Sequence, residues 1–210
     1  TGERRRLRDA RRLAATARER GFFAQFDQGE RLATVLAQAA PFTPAALDLL
    51  PLLAARIAQI ERTIFDFLAN LTPTSRIGIE ELYAFFAESM RADTGTGGTH
   101  RRWIETESAR SRAQDDLERE VLAGACLLQL GSAGERRRVA RDQLAFAVGA
   151  GGRHGVAPTG AAIDALIERK LLIHRYRNDD ISVWHGADLD LRSLIDERKN
   201  SAAAEFTLVD

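Results

Sequence analysis

The chain has 210 residues, 45% of them hydrophobic and 29% charged, enough apolar material to bury a core without staples as one large domain or two small ones. Its 30 Lys and Arg are balanced by 30 Asp and Glu, so no global excess of positive charge points to nucleic acid. The single cysteine, Cys126, excludes an intramolecular disulfide and a cysteine-rich zinc site, and no apolar run approaches the ~20 residues that span a bilayer. With no apolar signal segment after the basic N-terminus, the expectation is a cytoplasmic protein without a membrane partner.

Residues 1–20 are rich in arginine and alanine, both good helix formers, and are compatible with a basic helix. Leu32, Val35 and Leu36 then recur at helical spacing. In "PFTPAALDLLPLLAARIAQIERTIFDFLANL", Thr43 followed by Pro44 reads as an N-cap with proline at the first helical position. Pro51 should kink or restart this helix. Beyond it Leu53, Ile57, Ile60, Ile64 and Phe67 lie on one apolar stripe, which ends at a loop containing Pro73. Leu82, Phe85, Phe86 and Met90 share the apolar face of the next helix.

"RADTGTGGTH" reads as a flexible linker, so the chain divides near residue 96 into a helical, lid-like part (1–95) and a second part (96–210). The second part opens with a solvated helix anchored by Trp103 and Ile104. A helix from Asp115 and Asp116 to Gly131 follows, with Leu117, Val121, Ala125 and Leu128 facing inward and Cys126 as a buried small hydrophobe. "SAGERR" is a turn, "VARDQLAFAVGAGG" a short helix stopped by glycines, and "PTGAAIDALIERK" a third helix with Thr159 as N-cap and Ile163, Leu166 and Ile167 inward. Leu171 to Arg177 then alternates as a strand, "NDD" supplies a turn and "ISVW" a return strand. Leu172, Tyr176 and Trp184 are the expected packing anchors of this hairpin, and a last helix restarts near Asp188. Three helices followed by a hairpin is the winged-helix order. The fold expectation is therefore mainly α: a helical N-terminal bundle, then a winged helix with one β-hairpin.

A winged helix raises the question of DNA. The third helix would enter the major groove, but it presents Asp164 and Glu168 beside Arg169, and acids facing phosphate are unfavourable. Arg153, His154, Arg169, Arg175 and Arg177 are the candidate nucleic-acid or partner contacts; a solvated arginine face is the stronger reading for sequence-specific DNA. No catalytic constellation is visible. "GTGGTH" and "GAGGRHG" lack the lysine of a phosphate loop, and His100, His154, His174 and His185 show no metal-ligand pairing. Asp115 with Asp116, and Asp188 with Asp190, sit where helix N-termini favour negative charge. No metal site and no self-contained active site is expected.

Two stretches carry a resemblance. "APFTPAALDLLPLLAARIAQIERTIFDFL", and "EREVLAGACLLQLG" together with "ALIERKLLIHRYRNDDISVWHGADLDLRSLIDE", resemble the helical and winged-helix region of large prokaryotic P-loop ATPases of the AAA+/STAND kind, including those of BREX-type phage defence. The likeness spans roughly residues 40 to 200, and its motifs are degenerate. Ile60 stands where that family tends to have Asn, "WHGAD" replaces a more polar string, and the Walker A and Walker B elements are missing. The resemblance implies a non-catalytic portion of an ATPase that couples nucleotide state to protein or DNA contacts. Its partner would be a P-loop nucleotide-binding core, in the same chain or another subunit, and ATP with Mg would enter only through that core. Arg62, in "IERT", would then reach nucleotide phosphate in trans. The alternative is a winged-helix DNA-binding transcriptional regulator whose helical half dimerises or senses a ligand. DNA and a second copy of the chain stay open as partners.

Overall fold

The computed structural model describes residues 2–26, 29–57, 60–70, 76–131 and 138–184. The loop around Pro73, the "SAGERR" turn, His185 and the helix expected near Asp188 and Asp190 lie outside the described residues. Those residues form helices α1 (Gly2–Glu19), α2 (Gly29–Gln38), α3 (Pro44–Ile57), α4 (Ile60–Ala69), α5 (Ile79–Ala92), α6 (His100–Arg110), α7 (Asp116–Gly131), α8 (Arg141–Gly149) and α9 (Val156–Glu168), and an antiparallel pair, β1 (Leu172–Arg175) and β2 (Asp180–Val183). Among the described residues the fold is mainly helical with one two-stranded hairpin, as the periodicities predict.

The α1 helix turns Ala10, Ala14 and Ala17 inward, and these small side chains let it lie close along α2. The turn after it is driven into the core by Phe22 and Phe23; the Phe22 ring meets that of Phe146 on α8 at 5.5 Å. Thr43 caps α3 as expected, its Oγ1 accepting the Ala46 N–H at 3.4 Å. The helix does not restart at Pro51 but runs on to Ile57. The ring is on the exposed side of α3 and removes one N–H, while Leu49, Leu50, Leu53 and Ala54 hold the opposite face in the core. On α5, Leu82, Phe86 and Met90 are buried, and Tyr83 joins them.

The Gly-rich segment predicted as a flexible linker is a hydrogen-bonded turn. Asp93 Oδ2 accepts the Thr99 N–H at 2.8 Å and its hydroxyl at 3.0 Å, and Asp93 O accepts the His100 N–H at 3.1 Å. Gly98 is required there, since a Cβ would come within 2.3 Å of Asp93 O. The buried face of α6 is Thr106 and Ala109 rather than Ile104, which is half exposed.

The α7 helix is the centre of the molecule. From Val121 to Leu128 every residue is buried, Cys126 among them, and α3, α5, α6, α8, α9 and β2 all pack on it. One apolar cluster therefore runs from α1 to β2, across the turn at residues 93–99. Asp115 caps α7 by accepting the Glu118 N–H at 2.8 Å, and Glu118 accepts the Gln114 N–H at 2.6 Å. Arg110 fastens the neighbouring helices: it makes a two-pronged pair with Glu80 on α5 (2.7 and 2.9 Å), reaches the Arg119 carbonyl on α7, and lies 4.6 Å over the Tyr83 ring.

The start of α9 departs from the expectation. The helix begins at Val156, after Gly155 at φ +83°, so Pro158 falls in the first turn where its missing N–H costs nothing. Thr159 is inside the helix and buried; its hydroxyl donates to the Gly155 carbonyl at 2.7 Å and does not cap. At the other end Lys170 adopts φ +56°, with Lys170 N–H to Ile167 O and Leu171 N–H to Leu166 O at 3.0 and 2.9 Å, a Schellman turn without its usual glycine.

Two stability changes follow. Lys170→Gly should raise unfolding free energy by about 0.5–1 kcal/mol in urea melts, because glycine enters the left-handed region without a Cβ clash. Gly149→Ala should lower it by about 1–3 kcal/mol or more, since the added Cβ would meet Val156 backbone atoms at 2.5–2.6 Å.

Candidate functional site

The hairpin pairs Leu172 with Val183, Ile173 with Ser182, His174 with Ile181 and Arg175 with Asp180. Four-residue strands cannot stand alone, so they must be docked. Leu172, Ile181 and Val183 are buried, and β2 lies against α7. Residues 138–141 run along the other side of β2: the Ile181 N–H donates to Val139 O at 2.8 Å, and Asp180 Oδ1 accepts the Val139 N–H at 3.1 Å. Gln129 of α7 donates to the Ile181 carbonyl at 3.1 Å. Of the three anchors expected from sequence, only Leu172 serves. Tyr176 is 78% exposed because β1 ends at Arg175 and the tyrosine begins the turn, and Trp184 follows β2 at 39% exposure.

The turn itself is stiffened. His174 Nε2 is 2.8 Å from Asp179 Oδ1, which also accepts the Arg141 N–H at 3.3 Å. Burial works against the Asp179 carboxylate, but the bonds from His174 and Arg141 outweigh it and hold its pKa below the usual range. The His174 and Tyr176 rings lie 4.2 Å apart, so the histidine supports the exposed tyrosine from beneath.

The sequence-predicted cations do not gather into one patch. Arg169 turns inward to pair with Glu118, whose side chain is almost fully buried at the start of α7. It therefore locks α9 to α7 and does not face a partner. Arg153 reaches Glu81 on α5 at 3.4 Å, bridging the α8–α9 turn to the helical part. Arg175 is held within the hairpin by Asp180 at 2.9 Å and Ser182 at 3.2 Å. Among the described residues Arg177 and His154 are exposed and make no hydrogen bond or ion pair. Arg62 lies on α4, and its side chain is outside the described residues.

The outward face of α9 carries Val156, Ala157, Ala161, Asp164 and Glu168, all exposed. Sequence reasoning missed what engages Asp164: Arg141 at the start of α8 forks onto both of its oxygens at 3.1 and 2.7 Å and donates to Gly160 O at 3.0 Å. A pair 23 positions apart leaves no local signal. Among the described residues no group of three or more His, Cys, Asp or Glu is placed to hold a metal ion, and no helix is long and apolar enough to cross a membrane.

A second charged seam was also invisible in the sequence. Glu120 of α7 is half-buried beside Glu81 and Glu80 of α5, with Arg153 and Arg76 near. Burial, then the two glutamates, push its pKa up to about 7, against the pull of the two arginines.

No family model matches the chain, and neither a curated protein nor a solved structure matches it significantly.

The Glu120 seam fixes a pH dependence. A carboxyl whose folded pKa lies above its ordinary value of 4.5 favours the folded state most below that value and loses the advantage as pH rises through about 7. Glu120→Gln should therefore flatten the fall in stability between about pH 5 and pH 8, and at pH 8 should be roughly 1–3 kcal/mol more stable than the parent in urea melts.

Proposed function

We propose that residues 116–184 form a winged helix, with α7, α8 and α9 as its three helices and β1–β2 as its wing, and that the chain is a non-catalytic interaction module. The order of elements supports the fold reading, as does the docking of the hairpin between α7 and the strand-like segment 138–141. The interaction reading rests on one observation above all: the outward face of α9 offers the exposed Glu168, and Asp164 already engaged by Arg141, with no cation of the helix's own, so it is a poor reader of a polyanionic groove. What the unit offers outward is the hairpin turn, with Tyr176 and the unpaired Arg177, residue types that dominate protein contacts. The partner is therefore a protein, met by the wing.

The resemblance gives this module a setting. Beside a P-loop nucleotide-binding core, the helical part would act as a lid and the wing would carry its movement to a partner, in an ATPase of the phage-defence kind. The welding of both parts by α7 suits such transmission, because a movement of α3 or α5 cannot leave the wing behind. The alternative, a DNA-binding regulator, draws on the exposed His154 and Arg177, with Arg153 and Arg175 engaged in ion pairs.

Fluorescence anisotropy with labelled duplex DNA separates the two. The 210-residue chain should bind duplex at physiological salt no more tightly than about 10⁻⁴ M, the weak end of non-specific association. Tighter binding that falls steeply with salt and is lost in Arg175→Ala with Arg177→Ala would move the assignment to DNA. ATP turnover by this chain alone would defeat the non-catalytic reading.

A further inference from the structure

An open cavity of about 330 Å³ lies where the α1–α2 turn, α3, the end of α7 and the start of α8 meet. The volume is at the lower end of small-molecule sites. Small residues make the space: Gly21, Ala24 and Gly131 all line it. Its walls are Leu49, Leu52 and Leu128. Among the described residues its one charged lining residue is Asp48 of α3, which is only 7% exposed.

Asp48 is unusual in this protein. Glu80, Glu81, Glu118 and Glu120 each have an arginine near them, but Asp48 has no cationic partner among the described residues. Its Oδ1 is used, accepting the Phe23 N–H at 3.0 Å and the Gln25 side-chain amide at 3.4 Å. Among the described residues its Oδ2 accepts nothing, and Asp48 lines the cavity. Opposite, the Gln143 side chain lines the same space and makes no hydrogen bond among the described residues. Desolvation raises the Asp48 pKa, with the Phe23 and Gln25 bonds pulling the other way, so a cation brought to Oδ2 would relieve an existing cost.

We propose that this cavity binds a small organic cation, an alkyl- or arylalkylammonium, with its head group on Asp48 Oδ2 and its apolar body against Leu49, Leu52 and Leu128. The pairing of one buried carboxylate with a leucine wall selects against two other classes. A neutral apolar molecule leaves Oδ2 unpaired, and an anion is repelled. Gln143 is placed to accept a second N–H from the head group. The site is independent of the wing and of the interaction reading above.

Phenethylammonium is a suitable probe, with phenethyl alcohol as its neutral counterpart. In NMR titrations of the full chain at neutral pH, the amine should shift the methyl signals of Leu49, Leu52 and Leu128, and the alcohol should bind at least about tenfold more weakly. Asp48→Asn keeps an oxygen for the Phe23 N–H and should weaken the amine by a similar factor. Ala24→Trp, a change at an exposed residue of the rim, should block the cavity and abolish the shifts without disturbing the core. Equal binding of the alcohol, undiminished binding by Asp48→Asn or Ala24→Trp, or an absence of shifts at the three leucines would each overturn the assignment. The alcohol comparison uses the unaltered protein, so the outcome does not depend on how either variant folds.

Discussion

Burial of α7 on every side is the constraint from which the rest of the architecture follows. A helix apolar all round cannot face water on any side, so six other elements must cover it. The helices α3, α5 and α6 supply one half of the cover and α8, α9 and β2 the other. A division of the chain at residue 96 therefore falls in a turn that crosses one continuous core.

Polar contacts work around this core as fasteners. Arg110 ties α5, α6 and α7 together, Arg169 ties α9 to the first turn of α7, and Arg141 ties α8 to α9. Arg110 and Arg141 each fork onto a carboxylate and add a carbonyl, geometry a lysine could not reproduce. This use of arginine bears on function. Several of the candidate cations are committed to internal pairs, whereas His154 and Arg177 are exposed and unpaired among the described residues.

The charges that face nothing are informative for the same reason. Where Glu80 and Glu118 are paired with arginine, Asp48 stands apart, lining a leucine-walled cavity with no cationic partner among the described residues. Glu120 is the opposite case. It has arginines near it, but burial, together with two further glutamates, outweighs them, so its ionisation opposes folding at neutral pH. Both sites lie where elements distant in sequence converge.

The sequence by itself determined the helices with strong apolar periodicity, the Thr43–Pro44 cap, the hairpin and the order in which they come, because these rest on interactions between residues a few positions apart. It also foresaw that α9 would carry acids outward, since helical spacing alone places Asp164 and Glu168. Only the tertiary structure decided which candidate cations were free. Arg169 and Arg153 look solvated on their own elements, and their partners Glu118 and Glu81 stand 51 and 72 positions away. The same holds for Tyr176 and Trp184, which read as anchors from their size but lie beyond the short docked part of the hairpin. Thr159 and the Gly-rich turn depart from expectation for a related reason: local hydrogen bonds with Gly155 and Asp93 override intrinsic preference. The cavity beside Asp48 has no sequence signature at all, because its walls come from four elements that only the buried α7 brings together.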